Sequence, residues 1–160
     1  MDIRLEVRQY EQRDLDELHE LVVQTVSASY RAHYPPRAVQ FFIDHHSEDK
    51  IEADGASAFV VVAFVDGRMV ATGTLARGEI ARVFVLPELQ GHGIGKTIMD
   101  RIEDEARHSG LSRVVLDASL PAFGFYSARG YRKCSDEKLD VGENQELRYY
   151  RMAMELNTTW

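Results

Sequence analysis

The sequence predicts a single α/β domain built on a mixed, mostly antiparallel sheet of six to seven strands flanked by about four helices. Three observations predict it. Short runs of β-branched and aromatic residues alternate with helix-period segments, but not as a pure βαβ repeat. Two of the runs are joined by Asp66-Gly67, a two-residue hairpin signal. A glycine-rich stretch, "LQGHGIGKT" at 89–97, marks a passage from strand to helix. With 160 residues, the chain is long enough to bury roughly 70% of its unfolded surface.

The elements follow in order. In "IRLEVRQY", Ile3, Leu5 and Val7 share one face, the period of a half-buried strand. Asp14 is expected as a helix N-cap, with Glu17 three residues later. Leu15, Leu18, Val22, Val26 and Ser29 then recur on one helical face. A second helix is expected from Pro35-Pro36, turning Val39, Phe42 and Ile43 inward. "AFVVVAFV-DG-RMVATGTL" reads as two strands and their turn, and "EIARVFVLP" as a third, stopped by Pro87. Ile94, Ile98, Ile102 and Ala106 recur every four residues, so a helix runs to about His108, with Gly110 past its end. "SRVVLDAS" is a strand and "PAFGFYSARG" a short helix. "GYRKCS" and "ELRYYRMAMEL" complete the set as strands. No linker, repeat or low-complexity tract interrupts the series.

Composition removes several functions. The formal charge of −7 leaves nothing to gain from counterion release, so no nucleic-acid partner is expected. No apolar run reaches membrane-spanning length, so no membrane partner is expected. "MDIRLEVRQY" has no apolar h-region and does not read as a signal sequence. The lone Cys134 excludes an internal disulfide framework and suits a cytoplasmic setting. The six histidines show no H-x-x-x-H or Cys-His spacing, so no metal is expected. Cys134 has no base beside it in sequence, which argues against a covalent acyl-cysteine.

The glycine stretch must pass something close to its backbone, and phosphate is the natural candidate. A Walker A loop fails on spacing: counting back from Gly95, its first glycine falls on Gln90. The dinucleotide pattern places Lys96 where its third glycine must let helix and strand touch. A third pattern fits without a gap. Gln90-x-x-Gly93-x-Gly95, after "VFVLP" and opening an amphipathic helix, resembles motif A of the GNAT superfamily of acyl-CoA-dependent N-acyltransferases. "DASLPAFGFYSARGY" resembles the family's second motif, with Tyr126, Gly130 and Tyr131 in its places. The element order matches the family fold over nearly the whole chain.

The resemblance implies a single N-acetyltransferase domain over residues 1–160, with a splay between the fourth and fifth strands. It implies acetyl-CoA as co-substrate, its pyrophosphate met by backbone N–H groups from Gly91 through His92, Gly93, Ile94 and Gly95 to Lys96 at a helix's positive end. Val83, Phe84 and Val85 would pair with the pantetheine arm, the Val85 N–H polarising the thioester. Ser119 stands where the family often has an asparagine that bonds this arm. Tyr126 would be the general acid. Glu79, at the start of the splayed strand, is the candidate base, directly or through water. The implied reaction is direct attack by a primary amine in a ternary complex. A protein lysine or N-terminal α-amine acceptor stays open, as do a non-catalytic acyl-CoA-binding module and a homodimer. Tyr30, Tyr34, Phe41 and Phe42 either line the acceptor pocket or pack as core. The acidic stretch "SDEKLDVGENQE" at 135–146 is expected as a connection bordering the acceptor side, where its carboxylates would draw in a cationic small amine.

Overall fold

The computed structural model describes residues 3–157. The first two residues of the opening stretch lie outside them. Seven strands form one sheet in the order β1-β2-β3-β4-β5-β7-β6. They are β1 (Leu5–Gln9), β2 (Phe59–Val65), β3 (Arg68–Ala76), β4 (Glu79–Val85), β5 (Arg113–Ser119), β6 (Arg132–Gly142) and β7 (Gln145–Glu155). Every neighbouring pair is antiparallel except β4 and β5. Five helices flank the sheet: α1 (Leu15–Ser29), α2 (Pro36–His45), α3 (Glu48–Ser57), α4 (Ile94–His108) and α5 (Phe123–Arg129).

Seven of the nine residues of β3 are buried in unbroken sequence. A strand buried on both faces needs no alternation, which is why "MVATGTL" shows none. Gly73 admits α4 against this strand, because a Cβ there would run into Ile98 and Ile102. Each of three two-residue hairpin turns places both its residues at positive φ, the hand that matches strand twist. They are Asp66-Gly67, Arg77-Gly78 and Glu143-Asn144. None of the described helices is long and apolar enough to cross a membrane.

The sequence missed α3. Its only buried residue is Ile51, so "EDKIEADGAS" carries no apolar stripe. Ser47 caps it by accepting the Lys50 N–H at 3.4 Å, and Gly55 leaves room for the Tyr10 ring. Asp14 is not the side-chain cap expected of it. It closes a 3-10 turn, Gln12–Asp14, accepting the Glu11 N–H at 2.7 Å. Arg8 grips the same carboxylate at 2.7 and 2.9 Å. Glu17 instead accepts the Met69 N–H at 2.9 Å, tying α1 to β3.

The stretch 135–146 is corrected from loop to hairpin. Ser135 to Gly142 continue β6, and Gln145 and Glu146 begin β7, around the Glu143-Asn144 turn. Leu139 opposite Leu147 supplies the apolar pairing that the charges conceal. The outer strand of a sheet also favours charged residues, which deter further pairing.

The splay has a local cause. Arg82 has φ +53, and the β3–β4 register shifts there, so Arg82 and Val83 together stand opposite Gly73. This bulge bends β4. Its pairing with β5 ends after Glu79–Val115 and Ile80–Leu116. The strained arginine is held by its own buried guanidinium, which donates to Asp54 at 2.9 Å and His46 at 3.2 Å.

Candidate active site

Where β4 and β5 part, two cavities open and share their inner walls. The larger, about 460 Å³, lies on the α4 side. Its lining gathers Val83, Phe84, Val85, Gln90, Gly91, Gly93, Gly95, Lys96, Ser119 and Tyr126, ten of the residues marked in the sequence. His92 is exposed, and the Ile94 side chain is in the core. These two offer the site only backbone. Thr25, Ser29, Tyr30 and Phe125 also line this cavity and were not foreseen as cofactor-side residues. Ser29 carried a faint signal, a small polar residue at the end of an apolar helix face.

The open edge of β4 can be read from its hydrogen bonds. A strand residue's N–H and C=O point to the same edge, and the edges alternate along the chain. The Leu86 N–H donates to Val70 O at 2.9 Å, on the β3 side. The N–H groups of Val85 and Val83 therefore face the cavity. Val85 O, on that edge, accepts from the Gln90 side chain at 3.0 Å. Gln90 thus braces the loop against the strand. Gly93 is the N-cap of α4 at φ +82, with no side-chain cap bond, and Gly91 has φ +85. The first N–H groups of α4 have no partner within the helix.

Tyr126 is buried at the junction of the two cavities. Its ring meets Phe125 and Tyr131 edge-on. Burial, and secondarily Tyr30, push its phenol above the ordinary value. A buried salt network holds α5, and so Tyr126, in place. Glu103 of α4 accepts from Arg129 at 2.7 and 2.9 Å and from the Tyr131 hydroxyl at 2.8 Å. Ser119 is buried, and burial pushes the Tyr30 phenol up while Ser119 partly offsets that push.

The smaller cavity, about 260 Å³, continues from Tyr126 to the far side. Glu79 lines it, paired with Arg151 at 3.1 Å, and Arg151 also holds Asp117 at 2.9 Å. Of the four flagged aromatics, Tyr30, Phe41 and Phe42 line this cavity. Tyr34 does not: its hydroxyl donates to Arg148 O and accepts from the Leu120 N–H, both at 2.8 Å. His45 and His46, which showed no motif, also line it. The acidic hairpin contributes Leu139, Leu147 and Tyr149 rather than its carboxylates. Asp136, Asp140 and Glu146 alternate onto the other face, where Lys133 meets Asp136 at 3.1 Å and Lys138 meets Glu146 at 3.9 Å. Cys134 is exposed and lines neither cavity. Among the described residues no group of three or more His, Cys, Asp or Glu is placed to hold a metal.

Comparison with known proteins bears on what this arrangement belongs to. Residues 30–156 match a family model described as an acetyltransferase (GNAT) domain. The chain belongs to the GNAT acetyltransferase family. The chain's match spans less than half the length of the curated relatives. The fold is shared with a GCN5-related N-acetyltransferase of Rhodopseudomonas palustris, at TM-score 0.88 and 21% identity over 98% of this chain and 99% of that one. It is shared too with the PaiA N-acetyltransferase of Thermoplasma acidophilum, solved in complex with coenzyme A, at TM-score 0.78 and 20% identity over 96% and 99%. A curated relative, the IAA acetyltransferase of Azospirillum brasilense, is 39% identical over 66 residues, covering 38% of this chain and 43% of that protein.

Proposed function

We propose that this GNAT family member moves an acetyl group from acetyl-CoA to the primary amine of a small acceptor, by direct attack in a ternary complex. The observation that carries the reading is the meeting of two cavities at Tyr126, one floored by the glycine loop and one by Glu79. The PaiA neighbour was solved with coenzyme A, in keeping with a diphosphate seated on the N–H groups that open α4.

The chain's own groups supply the chemistry. An alkyl amine is almost wholly protonated at neutral pH, with a pKa near 10.4, so it must first lose a proton. Glu79 takes it, directly or through water. The Val85 N–H, on the open strand edge, meets the oxygen that gains charge as the amine attacks. The carbon–sulfur bond breaks, and the leaving thiolate meets the Tyr126 hydroxyl. That phenol, raised by burial, is a standing proton donor. A coenzyme-binding module without catalysis would have no use for such a group.

A small acceptor is favoured over a peptide by the size of the second cavity, about 260 Å³, beside which α2 and the β6–β7 hairpin are tied together. Arg37 of α2 bonds the β6–β7 hairpin twice, to Gln145 Oε1 at 2.8 Å and to Val141 O at 3.1 Å. Tyr34 stitches β7 to the start of the Leu120 turn. Thiol release from acetyl-CoA over a panel of small amines and peptides tests the reading. Turnover is expected with small amines, and Glu79→Gln should flatten the acidic limb of the pH–rate profile. Thiol release with no amine at all would end it.

A further inference from the structure

The acceptor cavity carries a second kind of information in its two histidines. Arg82 Nε donates to His46 Nδ1 at 3.2 Å. A guanidinium can only donate, so Nδ1 must present its lone pair and the ring proton sits on Nε2. His46 is buried, and burial, then Arg82, hold it neutral by pushing its value down to about 3. Nε2 has no hydrogen-bond partner among the described residues, and it is not among the fully enclosed unpaired atoms. His46 is one of the residues that line the acceptor cavity. Phe84 and His45 meet its ring edge-on at 5.4 and 5.1 Å. A fixed donor, walled by rings and without an acceptor, is a site for an oxygen on whatever fills the cavity.

The walls say what carries that oxygen. Phe41, Phe42, Phe84 and Tyr149 surround the space, and His45 stacks on Phe41 at 5.8 Å with an 11° interplanar angle. At ~30 Å³ per water, a cavity of about 260 Å³ holds a ring and a short arm and little more. Glu79 and Asp117, sharing one arginine, leave net negative charge to receive an ammonium. We propose that His46 is a specificity residue of the acceptor site, donating through Nε2 to an oxygen on an aromatic primary amine seated between Phe41, Phe84 and Tyr149.

This rests on the acyl-transfer reading above, and the test separates the two. Thiol release is measured with 2-phenylethylamine, its ring-hydroxylated and ring-methoxylated derivatives, and spermidine. At least one oxygenated derivative should exceed the parent by tenfold or more in kcat/KM. A methoxy group should serve as well as a hydroxyl, because it can only accept. His46→Phe should bring that ratio close to one. Should His46→Phe fail to fold, Phe41→Ala, at a half-buried position of α2, should lower kcat/KM for the aryl amines tenfold relative to spermidine. Equal kcat/KM for parent and derivatives, or an undiminished ratio in folded His46→Phe, overturns the proposal. Turnover of spermidine alone overturns the aromatic class while leaving acyl transfer standing. Silence with every amine removes both.

Discussion

Replacing Tyr126 by phenylalanine isolates one atom of the proposed mechanism. The hydroxyl has no hydrogen-bond partner among the described residues, while the ring packs on Phe125 and Tyr131 at 5.2 and 5.7 Å. Phenylalanine keeps both ring contacts and strands no buried partner, so folding stability should stay within about 0.5 kcal/mol. The kinetic cost is larger. A hydrogen bond to a charged group contributes about 1.5–3 kcal/mol, a factor of roughly 10 to 150 in rate. General acids commonly supply 10²-fold or more, so a fall in kcat of roughly 10² is expected. The phenol already lies above a thiol in pKa, near 10 against 8.5, and burial widens that gap. The proton is therefore shared with the thiolate in the transition state rather than surrendered early. A raised phenol also stays protonated through alkaline solution, so Tyr126 should cause no loss of kcat below about pH 10. The assay is thiol release under saturating acetyl-CoA and acceptor, with calorimetry for cofactor affinity and a melting curve for the fold. Wild-type kcat in the variant would refute the assignment. So would a loss that appears entirely in acetyl-CoA affinity, since that would mark a binding role.

The other expectations concern the loop, the support of Tyr126 and acid stability. Gly93→Val should weaken acetyl-CoA binding at least tenfold by calorimetry. A Cβ there meets nothing within 4 Å, so the damage comes from φ +82, which costs a side-chain-bearing residue ~1–2 kcal/mol and re-aims the N–H groups. Unchanged affinity would remove the loop from the site. Arg129→Ala strands Glu103, whose side chain is 6% exposed, and should cost about 3–5 kcal/mol in urea unfolding; a loss under ~1 kcal/mol would mean the network does not hold α5. Asp14 is held below the ordinary carboxylate value, first by its hydrogen bond from Arg8. A depressed carboxylate stabilises the fold above its unfolded value near 3.9 and loses that contribution as pH falls through the folded one. Asp14→Asn should therefore be less stable than wild type at pH 6, with the difference shrinking below about pH 4. An unvarying difference would show that the pair does not titrate with folding.

The candidate site was legible where a motif obliges the backbone to do something particular. Gly91, Gly93 and Gly95 could be placed because each departs from what a helix start otherwise uses, and Tyr126 because its spacing from Gly130 and Tyr131 marks a short helix. The acceptor side was not legible in the same way. His46, Arg82 and Tyr149 come from three elements, and none carries a spacing signal toward the others. The acidic hairpin misled for a related reason. Its composition is that of a loop, while its pairing is decided by Leu139 and Leu147 and by the Glu143-Asn144 turn.

By itself the sequence determined the order of the strands and of every helix but α3, the Asp66-Gly67 turn, the glycine loop and the kinship these imply. All are local patterns, set by periodicity and backbone freedom within a few residues of chain. Only the tertiary structure decided that β4 leaves β5 at Arg82, because the bulge survives through contacts with His46 and Asp54, 36 and 28 residues away. It alone decided that Glu79 shares Arg151 with Asp117, and that Asp136 and Asp140 of β6 turn from the cleft. Which face a strand residue shows, and which charge it meets, follow from register with partners distant in sequence, and a one-residue shift would reverse them all.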